Sequence, residues 1–175
     1  IDNAGTFGNS SLVEFNIYSS IQSAIDAASS GETINVAAGT YNEDILITKN
    51  GLQIIGANPS TTKINGTRIE LNTNFPNAGV IGNSIAAIEI NANNVKINGF
   101  SIETPELDAD HYAFGILLNG ENIEISNNIF NMKSDGETIV DPDPVNGDKG
   151  PVAIQTWTSG NGGTSIKGLN ITDNI

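Results

Sequence analysis

The sequence predicts an all-β fold: a parallel β-helix of about four turns with three short strands per turn, closed at its N-terminal end by an α-helix. Two observations predict the coil. Short apolar-x-apolar units return along the chain, and they end in Gly, Asn or Asp, where the backbone must bend. A third, an amphipathic segment ahead of the first strand, predicts the cap.

In that segment Ile21, Ala24, Ile25 and Ala28 fall at i, i+3, i+4 and i+7 on one helical face. Ser19 with Gln22 reads as a capping box, and Gly31 as the residue that ends the helix. A coil of stacked strands leaves a raw backbone edge at its end, and a helix laid over that edge blocks pairing with another chain. The expected organisation is therefore one domain, with the cap in residues 1–31 and the coils in residues 32–175. The sequence stops inside a strand, so a continuation beyond Ile175, or self-association through an open rung, is expected there.

One strand, A, is read in Leu52-Gln53-Ile54-Ile55-Gly56, Val95-Lys96-Ile97-Asn98-Gly99, Ile123-Glu124-Ile125-Ser126-Asn127 and Leu169-Asn170-Ile171-Thr172-Asp173. A second, C, is read in Ile45-Leu46-Ile47, Ile88-Glu89-Ile90 and Ile116-Leu117-Leu118. Ile45, Ile88 and Ile116 stand seven residues before Leu52, Val95 and Ile123. The third, B, lies between A and the next C, at Thr61 to Asn65, Phe100 to Glu103 and Ile129 to Met132, with Thr33 to Ala37 read as its first copy. None of these strands can bury an apolar face alone, so each must stack on its equivalent about 4.7 to 4.9 Å away. The Asn residues at the bends, Asn50, Asn93, Asn122, Asn127, Asn128 and Asn174, have a structural reading, because Asn tolerates the left-handed backbone and stacked amides form ladders.

Composition excludes several functions. The 175 residues carry 38% apolar side chains, enough for one core, and no cysteine, so neither disulfides nor thiolate metal sites contribute. A net charge of −13 with seven Lys and Arg argues against a nucleic-acid partner. No apolar run approaches the roughly 20 residues of a bilayer span.

Ile21 to Ala28, Gly31 to Glu43 and Leu52 to Ala57 closely resemble the start of pectin lyase-like β-helix proteins. The resemblance implies a right-handed coil, an extracellular or cell-surface location and a polysaccharide or surface glycan as partner, with no organic cofactor. Gly39-Thr40-Tyr41-Asn42-Glu43 is similar to the first block of the pectin methylesterases, a structural block in that family. The catalytic motifs of those esterases, Gln-Asp-Thr-Leu, Asp-Phe-Ile-Phe-Gly and Arg-Pro-Trp, do not occur in the sequence, nor does the Gly-His-Gly of polygalacturonases. Asp110-His111-Tyr112 matches the Asp-Pro-His block of mannuronan epimerases only without its proline.

The long insertions, residues 66–86, 104–113 and 133–151, all interrupt the junction from strand B to strand C. Stacking superimposes them, and repeat proteins usually bind on the face that carries their insertions. The last two insertions are acidic. Asp108, Asp110, His111 and Tyr112 are candidate ligand-binding residues there, joined by Trp157, whose ring could stack on a sugar. Asp141, Asp143, Asn146 and Asp148 set oxygen ligands at alternating positions before and after a Gly turn, which suits calcium. Because a polyuronate would be repelled by so acidic a face, acidic glycan and bridging calcium are expected together. A non-catalytic surface, adhesin or filament module is the alternative reading.

Overall fold

The computed structural model describes residues 16–67, 84–106, 112–133, 151–156 and 167–175. Among these residues one helix, α1 (Ile21–Ala27), precedes thirteen strands: β1 (Thr33–Val36), β2 (Gly39–Asn42), β3 (Ile45–Ile47), β4 (Gln53–Gly56), β5 (Thr62–Asn65), β6 (Ser84–Ile90), β7 (Lys96–Asn98), β8 (Ser101–Glu103), β9 (Tyr112–Leu118), β10 (Glu124–Ser126), β11 (Ile129–Asn131), β12 (Val152–Thr156) and β13 (Asn170–Thr172). Three sheets form, each from strands of successive coils: sheet A in the order β1-β4-β7-β10-β13, sheet B in the order β11-β8-β5-β2 and sheet C in the order β12-β9-β6-β3. Every pairing is parallel. This is the expected parallel β-helix with three strands per turn.

Register explains why the repeat folds this way. On sheet A, Ile34, Ile54, Ile97, Ile125 and Ile171 stand one above another. On sheet C, Ile45, Ile88, Ile116 and Ile154 do the same, and on sheet B the column is Tyr41, Ile64, Ile102 and Phe130. A one-residue slip would turn each column out to water, so the apolar period of two fixes the pairing. Ile54, Ile64, Ile88, Ile97, Ile102, Ile116 and Ile125 are all buried in one core. Leu52, Val95 and Ile123, each just before a strand of sheet A, fill the same core.

One strand is placed differently from the sequence expectation. Thr33 to Val36 belongs to sheet A, in register with Gln53 to Gly56, and is not the first strand of sheet B. That position falls to Gly39–Asn42, which pairs with β5. Among the described residues α1, and not a strand C, precedes the first coil, so the seven-residue spacing that identifies strand A elsewhere has no starting point there.

The cap also differs in detail. Ser20, not Ser19, is the N-cap, and its side chain accepts from the Ser23 N–H at 3.1 Å. The N–H groups of Ile21 and Gln22 donate to the two carboxylate oxygens of Glu43 at 2.9 and 3.0 Å. Gln22 faces the coil: its amide donates to the Leu46 carbonyl and accepts from the Leu46 N–H. At the other end Lys49 donates to the carbonyls of Ile25, Asp26 and Ala28. A carboxylate at the start and an ammonium at the end are each placed where unpaired backbone groups and the helix dipole favour them. The helix ends at Ala27, and Gly31, at φ +85°, serves the turn that follows.

Of the asparagines singled out at the bends, Asn122 and Asn127 adopt the left-handed backbone, and so does Asn94 beside Asn93, with φ between 54° and 58°. Between sheets C and A, Asn50 Oδ1 accepts from Asn93 N and Asn93 Oδ1 from Glu121 N, while Asn122 donates to Asn94 and Asn119 to Asn91. Between sheets A and B, Asn128 is 1% exposed; its Oδ1 accepts from Phe100 N at 3.0 Å and its Nδ2 donates to the carbonyls of Ile97 and Ser126. Asn174 continues that ladder on the next coil. At the same bend Gly99 has φ +85°, and a Cβ there would lie 2.5 Å from the Gly56 carbonyl oxygen.

Candidate functional site

The connections between sheets divide unequally. From sheet C to sheet A, residues 48–52, 91–95 and 119–123 make three bends of one length, and residues 157–169 make a longer fourth connection. From sheet B to sheet C the chain turns in residues 43–44 on the first coil, then leaves for residues 66–83, 104–111 and 132–151 on the next three. The expected insertions therefore share one junction.

Their roots are built on each other. Past the strand ends, Gly66 N donates to Glu103 O and Thr104 N to Asn131 O, so the ladder runs on into the first loop residue. Asp44, buried, accepts from the Thr67 N–H at 2.9 Å and from its hydroxyl. Thr104, also buried, accepts through Oγ1 from Lys133 N at 2.8 Å. Gly66 lies so close to Pro105 that a Cβ would meet its ring at 2.6 Å. These contacts fix where each insertion starts and stack the starting points along the coil.

Two outer faces flank this junction. On sheet B the residues between the buried ones are polar except Ile129: Asn42, Asn65, Glu103 and Asn131 share one register column, and Thr40, Lys63, Ser101 and Ile129 the next. Asn65 donates to Asn42 and Asn131 to Ser101, both at 2.7 Å. Lys63 and Lys133 both pair with Glu103, Lys133 at 2.9 Å. Burial raises the Glu103 carboxyl, but the hydrogen bonds and charges of the two lysines outweigh it and hold the group below the usual carboxylate range. On sheet C, Leu46, Glu89, Leu117 and Gln155 share the column that alternates with the core isoleucines. Glu89 is 2% exposed there, and Ala86, Phe114 and Leu117 form a small buried cluster on the same sheet.

Most residues singled out from sequence lie outside the described residues: Asp108, Asp110, His111, Trp157, Asp141, Asp143, Asn146 and Asp148. Tyr112 opens β9, in register with Ser84 at the end of the first insertion. Among the described residues no group of three or more His, Cys, Asp or Glu side chains could hold a metal ion. Likewise, among them no helix is long and apolar enough to cross a membrane. Lys63, Glu103 and the Asn42–Asn65 pair were missed by sequence reasoning. Lys63, Asn65 and Glu103 carried a signal, since each occupies an outward position of an expected strand B, whereas Asn42 lies on a strand that was not expected.

Comparison with known proteins adds a family and a fold. A family profile described as "Protein of unknown function (DUF1565)" matches residues 9–175. No curated protein matches the chain. Among solved structures, pectin methylesterase PemA from Erwinia chrysanthemi is similar with a TM-score of 0.51 at 19% identity, over 71% of this chain and 43% of its own. A pectin methylesterase in complex with hexasaccharide VII gives a TM-score of 0.49 at 17% identity, over 93% of this chain and 64% of its own. The chain thus spans less than two thirds of either enzyme. At these identities the likeness is one of fold.

Proposed function

This chain belongs to the DUF1565 family, and on that premise we propose that it is a secreted, extracellular β-helix protein that binds or modifies polysaccharide through its sheet B to sheet C loops, assisted by calcium. One observation carries the reading: three insertions leave from hydrogen-bonded roots stacked at one junction, that from sheet B to sheet C. A solenoid that gathers insertions along one edge concentrates its binding chemistry there. The fold is shared with PemA, a pectin methylesterase, which supports a sugar polymer as ligand.

In this reading Asp108, Asp110, His111, Tyr112 and Trp157 contact the glycan, and Asp141, Asp143, Asn146 and Asp148 supply oxygens to the calcium ion. A glycan array with and without calcium, beside calorimetric titration of the ion, tests it. Saturable calcium uptake lost in the Asp141→Ala/Asp143→Ala double variant, together with glycan retention that falls in EDTA, is the expected result. Absence of both removes the proposal.

A further inference from the structure

Sheets A and B treat their charges differently. On sheet A, Lys96 pairs with Glu124 at 2.8 Å, one cation to one anion. On sheet B, Lys63 of β5 and Lys133, just past β11, approach opposite oxygens of a single carboxylate, that of Glu103 on β8 between them. Among the described residues Glu103 is the anion both lysines pair with, so the three groups carry one surplus positive charge in a chain of net charge −13. The lysine side chains are 40% and 32% exposed and the carboxylate 15%, so it is the cations that face solvent.

Their surroundings are suited to a sugar. Ser101, Asn131, Asn65 and Asn42 lie on the same outer face, with Asn42 and Asn131 exposed. Successive coils set these groups about 4.8 Å apart along the axis, giving a regular ladder of amides, hydroxyl and ammonium groups. An extended chain laid along the coil would meet a donor on every rung.

We infer that this strip is a calcium-independent seat for a carboxylate-bearing sugar, in which Lys63 and Lys133 receive the ligand's carboxylate and the neighbouring amides its hydroxyls. The inference rests on the polysaccharide reading and deepens it by naming a ligand class and a second route to it. In the loops the cation must be recruited; here the protein supplies it. Glu103 holds the two ammonium groups in place and competes with the ligand for them, so the site gains affinity when that carboxylate is neutralised. An ammonium acts as a point charge in water, so binding weakens with salt.

The test is affinity electrophoresis of the whole chain in EDTA, through gels containing either a uronic-acid polymer or its carboxyl-reduced neutral counterpart. Retardation by the acidic polymer should weaken about three- to fivefold for Lys63→Met and again for Lys133→Met, the scale of an exposed ion pair. Glu103→Gln should strengthen it, and added salt should reduce it. The neutral polymer should respond to none of these changes. Urea midpoints close to that of the parent chain establish that the variants fold. Acidic-polymer retardation that is unchanged in the double lysine variant, or that appears only with calcium, overturns the inference and leaves the polysaccharide reading standing. Retardation by the neutral polymer alone does the same, whereas a chain that neither polymer retards and that retains nothing on the glycan array loses both.

Discussion

Asn128 shows how one side chain serves three backbone groups at once. With its amide inside the coil, it accepts from Phe100 N and donates to the carbonyls of Ile97 and Ser126. Asn128→Ala leaves them buried without that partner, and a buried group so orphaned costs about 1–3 kcal/mol. The urea midpoint should fall with an unchanged slope; a midpoint within experimental error of the parent would mean that water replaces the amide. This position was legible in the sequence, because Asn follows strand A at a fixed offset in two coils. The Lys63–Glu103–Lys133 contact was not. It joins residues about forty and thirty positions apart, and their meeting depends on a register that only the stacked columns of sheet B reveal.

At the scale of elements, the cap and sheet B depend on charge in different ways. Glu43 closes the N-terminus of α1 with both carboxylate oxygens, and removing a capping group of this kind costs about 0.5–2 kcal/mol. Glu43→Ala should lower stability by that amount, read from urea unfolding, and should do so at neutral pH. Glu103 acts through protonation. Because its folded-state carboxyl titrates below its unfolded value, its contribution is complete above the ordinary carboxylate range and disappears as pH falls through that range toward the folded value. Urea midpoints taken from about pH 6 down to about pH 3 should therefore decline less steeply in Glu103→Gln than in the parent. An identical acid limb would show that the two lysines confer nothing on the folded state. The first strand of sheet A was misread from sequence for a related reason of context. Strand A is recognised by its distance from a preceding strand C, and α1 stands where that strand would be.

At the scale of the whole stack, each coil leans on its neighbours. On sheet A, β4 lies between β1 and β7, β7 between β4 and β10, and β10 between β7 and β13. Ile54, Ile97 and Ile125 on these strands are at most 2% exposed. The helix α1 joins the same core through Ile21 and Ile25, and Gln22 clamps Leu46. In a solenoid each coil is stabilised by its own packing and by its neighbours. Ile97→Ala, at a site where truncation costs about 2–5 kcal/mol, should speed exchange on both adjoining coils. Faster exchange confined to the coil of Ile97 would contradict this, since it would mean that the coils open independently of one another.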